Sequence, residues 1–154
     1  MADYGYNEVQ TIALNTPILF RSINPCQQGF VYHEDETGNF LLRNILSNNS
    51  CNSRFIYFQV TFNGNIALPE DADVVPVAVA LVVNGEARLT SRAIFTPADA
   101  DEYGNVTSTA IIKVPRCCCF TLGVEPVVAT ADATVTPAPV INVQNANLTI
   151  SRVS

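Results

Sequence analysis

Apolar and polar residues alternate with a period of two over Phe55 to Asn65, FIYFQVTFNGN. Successive side chains of an extended chain point to opposite faces, so Ile56, Phe58, Val60 and Phe62 share one side and Phe55, Tyr57, Gln59 and Thr61 the other. The first side is uniformly apolar, whereas the second begins aromatic and turns polar. This predicts a central strand of a sandwich whose second face is partly covered by a neighbouring sheet, a loop or another copy of the chain. The dominance of β-branched and aromatic residues argues against a helix.

The same alternation marks other segments. Thr107 to Val114 places Ser108, Ala110, Ile112 and Val114 on one side, and Pro115 bounds it. Cys117 to Val124 reads as a strand with Cys118, Phe120, Leu122 and Val124 on one face. Val140 to Val153 sets Ala146, Leu148 and Ile150 against Asn145, Asn147 and Thr149. Val74 to Val83 is apolar on both sides, as a doubly buried strand requires. Asn84-Gly85 then predicts a tight hairpin, because both central turn positions need positive φ, with a return strand over Ala87 to Ile94.

Pro17 interrupts Thr11 to Arg21 and makes it an edge or bulged strand. Turns are expected at Asn24 to Gly29 and Asp35 to Asn39, with short strands at Phe30 to Tyr32 and Phe40 to Leu46. Asn48 to Ser53, Pro69 to Asp73, Thr96 to Asn105 and Val127 to Pro139 read as loops. Residues 1–10, with Gly5 between two tyrosines, read as a flexible N-terminal arm before a single domain over residues 11–154. Strands joined by turn signals roughly every 8 to 12 residues, with no helical periodicity, predict an all-β sandwich or barrel of about ten strands.

Composition narrows the function classes. A chain of 154 residues suffices for one domain with its own core. Hydrophobic residues make up 48% and charged ones only 14%, against about 25% charged in ordinary soluble proteins. With so little charge and no long apolar run, the chain is expected to hide further surface in an oligomer. The net charge of −6 and singly scattered basic residues argue against nucleic-acid binding. The run Val74 to Val83 contains Pro76 and is too short to span a bilayer. The opening MADYGYNEVQ lacks the basic-then-apolar pattern of a classical signal peptide.

Four segments taken in order carry a family likeness: PILF at Pro17 to Phe20, RFIYFQVTFNGNIAL at Arg54 to Leu68, VAVALVVNGE at Val77 to Glu86, and INVQNANLTISRV at Ile141 to Val153. Together they resemble the C1q/TNF-like jelly-roll superfamily, and most closely its bacterial and phage members, including the C-terminal domains of collagen-like spore-surface (exosporium) proteins. The resemblance implies a jelly-roll β-sandwich of about ten strands and a compact homotrimer. Such a domain is an assembly head or surface component of a spore, cell or virion, or a receptor- or glycan-binding head. The NANLTI pattern implies a last strand near a three-fold axis. No G-x-y repeat precedes the domain, and the cysteine triplet is not a superfamily requirement.

The expected trimer interface comprises Phe55, Tyr57 and Gln59 on the second face of the organising strand and Gln144, Asn145 and Asn147 near the axis. Buried amides there need hydrogen-bond partners on the neighbouring subunit. The five cysteines, Cys26, Cys51, Cys117, Cys118 and Cys119, admit two readings: small buried hydrophobes, or disulfides within or between subunits. Cys26 and Cys51 lie in polar loops and can reach each other or the triplet. An extended Cys117 to Cys119 separation is near the ~7 Å limit for a bridge.

His33, beside Glu34 and Asp35, is the only imidazole, which leaves a zinc site or a catalytic nucleophile–base pair without partners. The acidic loops at Asp71 and Asp73, and at Asp99, Asp101 and Glu102, lack a calcium-loop signature. The expectation is a non-enzymatic protein with no metal or other cofactor, no nucleic-acid partner and no membrane insertion. It works outside the cell or on a particle surface.

Overall fold

The computed structural model describes residues 1–24, 29–45, 55–131 and 134–153. Among the described residues twelve strands follow in order: β1 (Ala2–Tyr6), β2 (Gln10–Ala13), β3 (Arg21–Asn24), β4 (Val31–His33), β5 (Phe40–Arg43), β6 (Phe55–Ala67), β7 (Val77–Val83), β8 (Glu86–Ala87), β9 (Ala93–Phe95), β10 (Gly104–Pro115), β11 (Cys119–Val127) and β12 (Val140–Arg152). They form two sheets. The first runs β10-β6-β12-β1-β3 with β2 also on β12, and the second runs β4-β5-β11-β7-β8 with β9 also on β7. No α-helix occurs among the described residues, and a single 3-10 turn lies at Leu89–Ser91.

The expected central strand is β6, flanked by β10 and β12 along most of its length. Its apolar side is buried: Ile56, Phe58, Val60, Phe62 and Ile66 have no exposed surface. These meet the inward residues of the second sheet, among them Val79, Leu81, Leu122 and Val124. An edge-to-face aromatic chain ties the two layers together. Tyr4 of β1 lies 4.7 Å from Phe40 of β5, Phe40 lies 5.6 Å from Phe20, and Phe20 lies 6.4 Å from Phe62.

β7 is buried on both faces, as its composition predicts, with Ala78 and Ala80 under a small outer cluster that includes Val127 and Ala129. Asn84 (φ 53°) and Gly85 (φ 81°) make the predicted hairpin turn. The long return strand does not form. Glu86–Ala87 pairs briefly, the 3-10 turn intervenes, and Ala93–Phe95 resumes the pairing. The break is held by the buried Ser91 hydroxyl, which donates to Arg88 O (2.7 Å) and accepts from Leu81 N (3.3 Å).

Residues 1–10 are not a loose arm. Ala2 and Tyr4 are almost completely buried, and β1 sits between β12 and β3. The Cys triplet is not a continuous strand either. Cys117 has φ +60° in the turn after β10, and β11 starts only at Cys119. The buried Asn44 organises this turn: its N–H donates to Cys118 O (3.0 Å), its O accepts from Cys117 N (3.3 Å), and its amide donates to Val114 O (3.1 Å). Cys26, Cys51 and the expected loop at Asn48 to Ser53 lie outside the described residues, as does most of the turn at Asn24 to Gly29.

A side chain at Gly38 would bring its Cβ to 2.5 Å from the backbone oxygen of Ile18 and into Pro17. Gly38→Ala is therefore expected to destabilise the fold by about 1–3 kcal/mol through overpacking. Phe58→Ala should cost about 3–5 kcal/mol, and Leu89→Ala, at an exposed site, about 0.5 kcal/mol or less. Urea unfolding midpoints check this order. Equal midpoints for all three variants would contradict it.

Candidate functional site

The outward side of β6 is the centre of a polar face. Antiparallel register aligns it with β10 and β12 in rows three residues wide: Asn105–Asn65–Gln144, Thr107–Asn63–Asn147, Thr109–Thr61–Thr149 and Ile111–Gln59–Ser151. Tyr57 and Phe55 continue the β6 column beside Lys113 and Pro115. The rows are hydrogen-bonded sideways. Asn105 Nδ2 donates to Asn65 Oδ1 (3.1 Å), Thr107 Oγ1 donates to Asn63 Oδ1 (3.3 Å), and the Thr61 and Thr109 hydroxyls lie 3.2 Å apart. Lys113 Nζ sits 3.9 Å above the Phe55 ring. Cross-strand pairs of this kind stiffen a face.

At one end this face is concave. β2 and β1 lie end to end along the same side of β12, and where one gives way to the other β12 bulges between Gln144 and Asn147. Asn145 carries the bulge at φ +54°, a conformation that asparagine tolerates better than most residues. Gly5, the register partner of Asn147, leaves room for Ile23, whose tip would lie 2.6 Å from an added Cβ. The result is an open cavity of about 370 Å³ whose polar lining includes Tyr6, Asn7, Arg21, Asn145 and Asn147. Arg21 is fixed on two sides: its guanidinium lies 4.8 Å from the Tyr6 ring centroid and 3.0 Å from Glu36 Oε1. Asn147 Nδ2 donates to Asp3 Oδ1 (2.6 Å) and Tyr4 O (3.3 Å), which sets the amide's orientation.

All six residues expected at a subunit interface therefore belong to one sheet. Phe55, Tyr57, Gln59, Gln144 and Asn147 lie on the outward face, and Asn145 lies in its bulge. Tyr6, Asn7 and Arg21 were not among them, because they come from distant segments and no local pattern joins them.

The other candidates do not converge. His33 stacks on Phe40 (centroids 4.2 Å apart), its Nε2 lies 3.0 Å from Thr37 O, and its Nδ1 lies 3.4 Å from Ser22 Oγ. It is a packing residue between β4 and the 34–37 turn. Among the described residues no three His, Cys, Asp or Glu side chains gather as a metal site. Glu102 Oε2 accepts from Ala98 N (2.7 Å) and Asp99 N (3.2 Å), so this acidic loop is closed on itself. Burial, and secondarily Asp101, push the Tyr103 phenol above its ordinary pKa. Cys118 and Cys119 are free thiols, half-buried and exposed respectively. Cys117 is disulfide-bonded. No helix among the described residues is long and apolar enough to cross a membrane.

No family model and no curated protein matches the chain. Solved structures do. The globular domain of zebrafish complement 1qA protein is 13% identical, with 96% of this chain and 94% of that one covered and a TM-score of 0.53. Eiger TNF from S. frugiperda is 9% identical, with coverages of 99% and 91% and a TM-score of 0.54. Murine APRIL at pH 5.0 is 10% identical, with coverages of 93% and 98% and a TM-score of 0.50. The chain has the C1q/TNF-like jelly-roll fold. At these identities the likeness concerns architecture, and within it the polar face belongs to the sheet that contains the first and last strands.

Glu125, on the outward side of β11, has its carboxyl pushed above the ordinary value by burial. Its charged form is disfavoured in the fold, so stability is expected to fall as pH rises from the ordinary glutamate value through the raised one. Glu125→Gln should flatten this part of the stability–pH curve. Superimposable curves for the variant and the unsubstituted chain would show that Glu125 is solvated.

Proposed function

We propose that the chain is a non-enzymatic recognition head that binds a glycan or receptor in the concavity beside the β12 bulge. The carrying observation is the convergence there of Tyr6, Asn7, Arg21, Asn145 and Asn147 in a cavity of about 370 Å³. Asparagine amides offer a donor and an acceptor side by side, which suits the hydroxyl groups of a sugar, and Arg21 adds a fixed fork of donors. A few placed polar groups in a largely pre-formed cleft are the usual composition of a ligand site.

The second element of the reading is self-association as a homotrimer through the rest of the same face. Its support is the array of amide and hydroxyl side chains on β6, β10 and β12, in which Lys113 is the one charged side chain, so that covering the face desolvates few charges. Gln59, Gln144 and Asn147 then become shared donors and acceptors, Phe55 and Tyr57 become apolar contacts, and the cavity at Asn145 opens beside the boundary between copies. The likeness in fold to C1q and TNF-type domains supports the assembly, and the segments similar to spore-surface and phage domains support a place on a spore, cell or virion. In that setting exposed Cys119 is available for a bond between copies.

Binding to an immobilised panel of glycans tests the first element. Arg21→Ala and Asn145→Gly, the latter keeping a backbone suited to positive φ, are each expected to weaken the best binder about tenfold or more, the loss of a charged or buried hydrogen bond, with thermal unfolding little changed. Retained binding in both variants, or no binder on the panel, would remove the concavity as the recognition site.

A further inference from the structure

β10 is the long edge strand of the first sheet. Among the described residues it pairs only with β6, so the peptide groups on its other side face outward. Which residues carry them follows from the ladder. Tyr57 O accepts from Val153 N (2.9 Å), on the β12 side of β6, so Tyr57 and its register partner Lys113 form a non-hydrogen-bonded pair. Such pairs recur at every second residue of an antiparallel ladder. Thr109, Ile111 and Lys113 therefore turn their N–H and C=O groups to the free edge, and their side chains are exposed.

An open row of this kind is a template for another strand, and charged side chains are a common means of closing it. Arg88 closes it here: its Nη1 donates to Ile111 O (3.1 Å). The reach is set by the backbone of Arg88, whose N donates to Leu81 O (2.8 Å) and whose O accepts from Ser91 N (2.9 Å) and the Ser91 hydroxyl (2.7 Å). The row beneath is self-complementary. A two-fold axis at Ile111 sets Thr109 opposite Lys113 of a second copy and joins the two exposed Ile111 side chains, whereas an axis at Lys113 would oppose lysine to lysine. Pro115, which has no N–H, then falls opposite Thr107 and ends the ladder. Both central hydrogen bonds of this pairing need Ile111 O, the atom that Arg88 holds. We infer that the β10 edge is a pairing site for β10 of a second copy, and that Arg88 keeps it closed until it is displaced. This pairing extends the sheet sideways instead of covering its outward face, and it does not depend on the function proposed above.

Sedimentation equilibrium over a dilution series, in reductant, tests the site on the full chain. Each hydrogen bond from a charged group is worth about tenfold, and the pair must release Arg88 in both copies, so Arg88→Ala should double its mass at about a hundredfold lower concentration than the unsubstituted chain. Arg92→Ala removes an equal charge, whose Nη1 bonds Val128 O (3.0 Å) instead, and should behave as the unsubstituted chain. Adding Ile111→Pro to Arg88→Ala should reverse the gain, because proline removes an N–H that faces the edge and leaves the β6 ladder uncut. Adding Ile111→Lys should reverse it as well, by opposing two ammonium groups at the axis with the backbone intact. An excess of the β10 peptide TSTAIIKV should compete with the pairing. An unchanged mass for Arg88→Ala, equal association of Arg92→Ala, or association that persists in both Ile111 double variants would each overturn the site. Equal competition by an unrelated strand-forming peptide would overturn the second copy as its occupant.

Discussion

The structure depends on the two-faced burial of β6. Its inward side chains from Ile56 to Ile66 are sealed against the second sheet, while its outward side chains are organised by β10 and β12 on either side. Because the side-chain period of a strand is two, a one-residue slip would expose the phenylalanines and bury the asparagines and threonines. The core thus fixes the register, and the register fixes the polar rows. The candidate surface is a consequence of core packing more than a separate feature laid over it.

A second constraint shapes the end of that surface. β12 has to serve two successive neighbours, β2 and then β1, and it changes partner through a bulge at Asn145. Beside it, where Gly5 pairs with Asn147, the face becomes concave. The fixed Arg21 and the oriented Asn147 amide then stand around a depression instead of on a plane. The polar rows and the concavity suit different tasks, the first covering by another copy and the second capture of a ligand.

The long strands were readable because their alternation carries through eight or more residues and reports burial directly. The outward placement of Gln59 and Asn147 was readable for the same reason, as the polar half of that alternation. β1 was missed: ADYGY looks polar and loose, and Tyr4 becomes a core residue only through Phe40 and the pairing with β12. The return strand after Gly85 was overextended because Ser91 looks like an ordinary strand residue until its hydroxyl bonds to Leu81 and Arg88 are seen. The triplet failed for a similar reason, since a cysteine at positive φ has no local signal and the turn is imposed by Asn44, far away in the chain. The concavity was illegible because Gly5, Arg21 and Asn145 are brought together only by strand order.

Lys113 is the chain's single lysine and lies exposed on the polar face, so one amine reports on that face alone. The most direct measurement is its rate of acylation by a small amine-reactive reagent, followed by peptide mass spectrometry, in concentrated protein and on progressive dilution in the presence of reductant. If copies associate through this face, Lys113 is protected at high concentration, reacts faster on dilution, and the change follows a native mass falling from about three times 16.7 kDa. Acylation at one unchanging rate, with a native mass of 16.7 kDa at every concentration, would contradict the account.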